Sequence, residues 1–170
     1  MNYKTEAEKI LNRQLQDDEA LDDFFEEVLL KRIPDLSPKV WHQMVMEWNW
    51  DAYPSFLDWL IANPKTDKAT ILMIYWKSEP RHNNASDFVE KIEQQYLNGF
   101  YKQSNFLFNP KDDVGEDWTA ISSDAYTRKI PDIMLQKVEG EKIPEPDHFI
   151  EGIPPEIDNL FQELFDVYEE

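Results

Sequence analysis

The chain has no cysteine, four glycines and three histidines among its 170 residues, and each shortage removes a class of chemistry. Without cysteine there is no disulfide, no thiolate metal site and no thiol nucleophile. Four glycines leave no room for a Gly-rich phosphate loop, and no GxSxG nucleophile elbow is present. His42, His82 and His148 form no HExxH or other ligand-spaced pair, so they read as structural or surface residues. Positive charge is scarce as well. Lys and Arg number 17 against 35 Asp and Glu, a net charge of −18. Each phosphate contact needs a cation, so this balance opposes nucleic acid and anionic membrane as partners. The longest apolar run, Ala69–Trp76 broken only by Thr70, is too short to span a bilayer, and the first residues contain no apolar stretch of the kind that directs secretion. The expectation is a cytoplasmic protein with no cofactor and no metal.

What is present is a core. Hydrophobic residues make up 41% of the chain, with 6 Trp, 7 Tyr and 10 Phe. That excludes a disordered chain despite the charge. Leu21, Phe24, Phe25, Val28, Leu29 and Ile33 recur at helical spacing between carboxylates over Asp17–Ile33, and Pro34 stops that helix. Ser37-Pro38 reads as a cap and first helical residue for a helix carrying Trp41, Met44, Val45 and Trp48 on one face. Pro54–Ala62 is a third helix, ended by Asn63-Pro64, with Asp51 a candidate cap before it. Thr66 or Asp67 caps a fourth through Trp76. Its apolar stretch is apolar all round, so periodicity alone leaves helix and buried strand open, and length and the cap favour helix. Ser86–Asn98 places Phe88, Val89, Ile92, Tyr96 and Leu97 on one side, with Gly99 as a left-handed stop. Beyond it, Phe100–Phe108 reads as partly extended, Asn109–Asp117 as a polar loop and Ile130–Val138 as a short helix from Pro131. Four prolines between 140 and 155 argue against regular structure there, and Pro155 opens a last amphipathic helix with Ile157, Leu160, Phe161, Leu164 and Phe165. The predicted fold is all-α: a single domain of six or seven helices with an irregular proline-rich segment before the last one.

The charge is unevenly spread. Residues 1–36 carry a net −5, residues 37–110 a net −1 and residues 111–170 a net −12. The plain reading of the acidic third is a solubilising surface. The sharper reading is a docking face for a basic partner, with Asp112, Asp113, Glu116, Asp117, Glu145 and Asp147 as candidate contact residues. The loop Asn109–Trp118 superficially resembles a calcium loop. Val114 falls where that loop needs glycine and Ala120 where it needs the bidentate Glu, so it fails the test. Glu47, Asp51 and Asp58 border the aromatic segments and would serve as an acid–base pair, although chance proximity is common among 35 acids. Trp41, Trp48, Trp59 and Trp76 would line a ligand groove, but tryptophans beside Leu and Met at helical spacing are more often core.

The stretch Asn49–Trp76, with NWD, a proline-led helix, an NP-x-TD turn and T-x-L-x-IYW, resembles the bacterial domain of unknown function 4274. Phe88, Ile92, Gly99–Tyr101 and Phe108–Pro110 extend the likeness, so that it covers roughly Val40–Trp118. Asn63–Asp67 stands where the family has a His-Pro-x-Cys-Asp type of turn, so that turn is only partly kept. On this likeness the single domain divides into a family-like helical core at 40–118, an N-terminal helical extension at 1–36 and an acidic C-terminal extension at 119–170. The resemblance brings no catalytic residues. It implies a small soluble protein of the kind found among candidate immunity proteins of bacterial toxin systems. The function expected is therefore a non-catalytic immunity protein that occludes a cognate toxin or other basic protein domain. An adaptor with a non-toxin partner and a carboxylate-based hydrolase are the alternatives.

Overall fold

A computed structural model describes residues 3–10 and 18–169. The fold is mainly α. Among the described residues seven α-helices run in chain order: α1 (Tyr3–Ile10), α2 (Asp18–Arg32), α3 (Pro38–Met46), α4 (Pro54–Ala62), α5 (Lys68–Lys77), α6 (Asp87–Leu97) and α7 (Pro155–Glu169). Two short 3-10 turns, Ile33–Asp35 and Asp132–Leu135, complete the regular structure of the described residues. Asp17, read as the start of the Asp17–Ile33 helix, lies outside the described residues. The chain divides into two units, one formed by residues 1–56 with 146–170 and the other by residues 57–145.

In the discontinuous unit, α7 packs on α1 and α2. Leu21, Phe24, Phe25, Val28 and Leu29 are buried on α2, and Ile157, Leu160, Phe161 and Leu164 on α7. Phe25 and Phe161 stack with ring centroids 4.8 Å apart. Arg32 at the end of α2 forms an ion pair with Glu6 of α1. Pro34 does stop α2, through the 3-10 turn, whose Ile33 carbonyl accepts the Trp41 indole N–H at 2.8 Å. The Ser37 hydroxyl accepts from Val40 N at 3.3 Å, the capping role its position predicts. Asp51, however, does not cap α4. The Ser55 N–H in the first turn of α4 is satisfied by Glu26 of α2 at 2.9 Å, so this cap comes from a distant element.

The irregular segment before α7 folds back on a tight turn. Ile150 and Ile153 exchange backbone hydrogen bonds at 2.9 and 2.8 Å around Glu151 (φ 50°) and Gly152 (φ 85°). Positive φ at both central residues is the pattern of the hairpin turns that match strand twist. Gly152 is required here twice over. A Cβ on it would sit 2.8 Å from the Met44 carbonyl oxygen and 2.8 Å from the Trp48 ring.

The continuous unit is built on α5. All eight residues Ala69–Trp76 are buried, which is why the segment carries no polar stripe. Thr66 and Asp67 explain the turn that precedes it. The Thr66 hydroxyl donates to the Leu60 carbonyl at 2.8 Å, tying off α4. The Asp67 carboxylate accepts from Ala69 N at 2.9 Å and, with its other oxygen, from Asn105 N at 2.6 Å. One side chain thus caps α5 and pins the segment after α6. Gly99, at φ 66°, ends α6 in the left-handed region as expected. The segment beyond is extended without forming a strand: Phe106 bridges Glu141 and Phe108 bridges Val138. Gly140 permits this pairing, since a Cβ there would fall 2.4 Å from the Asn105 carbonyl oxygen.

Two residues expected inside are outside. Leu97 is 57% exposed and Phe165 43%. The buried stripe of α6 follows Val89, Ile92, Glu93 and Tyr96, which turns Leu97 about 100° away from it. The predicted helix from Pro131 is present only as the 3-10 turn, after Pro131 as its cap residue.

Candidate functional site

The predicted acidic loop is a folded turn. Asp113 and Glu116 exchange backbone hydrogen bonds at 2.9 Å around Val114 (φ 52°) and Gly115 (φ 92°). Three of its four carboxylates hold the loop itself. Asp112 accepts from Gly115 N at 3.3 Å, and Asp113 from the Trp118 indole N–H at 2.8 Å. Asp117 accepts from the Thr119 hydroxyl at 2.6 Å and Thr119 N at 2.9 Å. The Thr119 hydroxyl bond, with help from loop N–H groups and Lys111, holds the Asp117 carboxyl below its ordinary range. Glu116 projects freely into solvent. The loop therefore presents its charge on a fixed frame. Glu145 is also exposed, on a different part of the same unit. Asp147 is exposed as well but belongs to the discontinuous unit.

The other candidates sort by burial. Trp41, Trp48 and Trp76 are core residues, and the Trp76 indole N–H donates to the Met134 carbonyl at 2.9 Å. Glu47, Asp51 and Asp58 are exposed, and none is hydrogen-bonded or ion-paired through its carboxylate to another described residue. His42 is buried, and His82 Nδ1 accepts from Asn84 N at 3.1 Å. Among the described residues no group of three or more His, Asp or Glu is placed to hold a metal ion. No helix among them is long and apolar enough to cross a membrane.

The continuous unit holds a part-buried ionic cluster that sequence reading missed. Arg128 engages Glu93 through two hydrogen bonds of 2.6 and 2.7 Å, and the Tyr75 hydroxyl donates to Glu93 at 2.5 Å. Burial and the Glu93 carboxylate together push the Tyr75 phenol well above its ordinary value. The bidentate fork is the strong form of this contact. It anchors the irregular segment that follows the acidic loop. Arg81 assists, donating to the Thr119 carbonyl at 2.9 Å and to that of Ile121, with its guanidinium over the Tyr126 ring. Tyr75, Glu93 and Arg128 satisfy one another, so the cluster acts as a clasp.

A second feature without a sequence signal lies in the discontinuous unit. An open groove of about 360 Å³ is floored by Phe25, Tyr53 and Phe161 and edged by Ile150 and Phe165. Tyr53 meets Phe161 edge-on at 5.9 Å. Ile150 is 55% exposed, and with Phe165 it leaves an apolar rim in water. A second hollow of about 370 Å³ shares Ala52 and Tyr53 with the groove as lining residues and is walled by Asp22, Asp23, Glu26 and Asp51. Two clamped turns form this junction. Asn49 N donates to the Glu151 carbonyl at 3.2 Å and its side chain to the Glu151 carboxylate at 2.9 Å, which holds Tyr53 (φ 44°) opposite the 150–153 turn. Desolvation first, then Asp22, Glu151 and Glu26, push the Tyr53 phenol up to about 12. The sequence signal for this site would have been weak. Its residues come from positions 22–26, 51–54, 150–153 and 158–165, which only the tertiary fold joins.

Neither the curated proteins nor the solved structures offer a match to this chain. A family model does. It is described as a domain of unknown function, DUF4274, and it matches residues 36–82. That span holds α3, α4 and α5 with the Thr66–Asp67 turn, while Phe88, Ile92, Gly99–Tyr101 and Phe108–Pro110 lie beyond it. The chain is thus similar to the DUF4274 family over residues 36–82, and the resemblance carried by the Asn49–Trp76 motifs is upheld there.

Proposed function

We infer that this chain is a non-catalytic interaction protein whose acidic surface binds a basic protein partner. The observation that carries this reading is the 112–117 loop, three of whose four carboxylates are fixed by hydrogen bonds to its own backbone and to Trp118 and Thr119. Charge held in place before binding costs little to order on association, and a single-sign patch steers a partner of opposite sign. The chain from the loop onward is of the same sign, with a net −12 over residues 111–170, of which −4 falls on residues 111–145 in the loop's own unit. The particular role we propose is that of a cytoplasmic immunity protein that covers a toxin domain, which follows from the family resemblance.

Two measurements test this. Co-expression with the product of the adjacent reading frame should rescue growth and yield an equimolar complex. Loss of rescue, or a non-toxic neighbour, removes the immunity role. The quadruple variant D112N/D113N/E116Q/D117N should then associate more slowly with that partner, with a flatter salt dependence, because surface charge acts mainly on encounter. The amide oxygens can still accept the loop's hydrogen bonds, so the loop is expected to survive. Association rates equal to wild type at low salt would show the loop to be ordinary solubilising charge.

A further inference from the structure

We propose that the groove at Tyr53 is a docking site for a cationic amphipathic segment of a partner protein: apolar side chains seat between Ile150 and Phe165, and Lys or Arg side chains reach the hollow beside it. This deepens the interaction reading above and rests on it, but it assigns the contact to a surface other than the 112–117 loop.

The argument begins with exposure. Large apolar side chains left in water at the mouth of a concave, aromatic-floored groove mark a binding surface more often than a scattered leucine does. Ile150 and Phe165 are of this kind, while their neighbours Phe25, Ile153 and Phe161 are buried as the floor. Stacked and edge-on rings give a rigid floor, Phe161 meeting Phe25 at 4.8 Å and Tyr53 at 5.9 Å. A rigid aromatic pocket loses little entropy when filled.

Charge then selects the occupant. Among the described residues, those lining the groove and the adjoining hollow include six carboxylates, Asp22, Asp23, Glu26, Asp51, Glu151 and Asp158, and no Lys, Arg or His. Glu26 is committed to Ser55 N and Glu151 to Asn49. Among the described residues, the carboxylates of Asp22, Asp23 and Asp51 make no hydrogen bond or ion pair, and all three residues are exposed. The Tyr53 phenol is raised first by burial and then by the nearby carboxylates of Asp22, Glu151 and Glu26. A second copy of the chain would set these carboxylates against their own kind. An anionic membrane or a nucleic acid would meet the same repulsion. An amphipathic helix or strand with basic residues beside its apolar ones satisfies both halves of the site.

The test uses the full chain and three short amphipathic peptides of identical leucine pattern, whose polar positions are all Lys, all Ser or all Glu. The Lys peptide is expected to bind, the Ser peptide more weakly, and the Glu peptide not at all. F165S and I150S, both at exposed positions, should each weaken the Lys peptide ~10-fold, the scale of an interface anchor. D22N/D23N/D51N should slow its association at low salt. L97S, exposed on another unit, should change nothing. Binding that survives F165S and I150S but falls in D112N/D113N/E116Q/D117N overturns the groove assignment and leaves the interaction reading standing. Equal binding of the Lys and Glu peptides overturns both. Concentration-dependent self-association abolished by F165S would identify the occupant as a second copy and overturn the proposal.

Discussion

Trp76 shows how one residue is held by both packing and polarity. It is 2% exposed, and its indole N–H ends on the Met134 carbonyl. Trp76→Ala should cost about 3–5 kcal/mol in a denaturant melt, the range for emptying a large aromatic site. Trp76→Phe keeps most of the packing and strands that carbonyl, so it should cost about 1 kcal/mol from the lost bond, beyond the smaller ring's packing deficit. An Ala variant melting with the wild type would show that the site is not core. The phenols give a pH prediction. Tyr53 and Tyr96 both ionise near 12 in the folded state against an ordinary 10, each chiefly because burial opposes the charged form. A raised folded value means that the unfolded chain gives up its proton first. The stability these groups contribute is therefore whole below pH 10 and is lost as pH climbs from 10 toward 12. Unfolding by alkali should track tyrosinate absorbance in that window. Full stability at pH 12 would contradict it. His42, by contrast, gave no sign of its burial beyond its place beside Trp41.

Helices were the legible layer, because caps and periodicity are local. α5 is instructive: its apolar run fits helix or strand, and the capping Asp67 decides between them. The same carboxylate holds Asn105 N, a contact across 38 positions that no local pattern contains. Asp67→Ala should therefore lose more than the roughly 1 kcal/mol of an ordinary cap, since it also orphans a second N–H. Asp67→Asn can still accept at one site only, so it should fall between Ala and wild type in thermal melts. If Ala and Asn are equally mild, the tie to residue 105 carries no energy. The cap of α4 was misread for the matching reason. Asp51 is well placed in sequence, yet Glu26 of α2 does the capping, because folding brings it to Ser55. The candidate sites follow the same rule. The 112–117 loop was visible as a charge run, whereas the Tyr53 groove needed four separate segments to meet. The Glu93–Arg128 clasp was hidden likewise, since one bidentate pair joins a helix to an irregular segment 35 positions away.

At the scale of the whole molecule, the division into units was the least legible property, since composition blocks follow the chain and packing does not. One unit is continuous, residues 57–145, and the other is assembled from residues 1–56 and 146–170. A fragment ending at residue 145 should keep slow amide exchange in α5 and α6, whose partners it retains, and lose it in α2, whose Phe25 has no Phe161 to stack on. Protection of α2 in that fragment would show that α7 is dispensable. The arrangement also sets a schedule. During synthesis the chain emerges N-terminus first, so the continuous unit has all its residues before the ribosome reaches α7. The floor of the Tyr53 groove waits for Phe161, and its rim for Ile150 and Phe165. A nascent chain therefore displays the acidic loop first and acquires the groove only after α7 has left the ribosome, so the two surfaces come into service at different times.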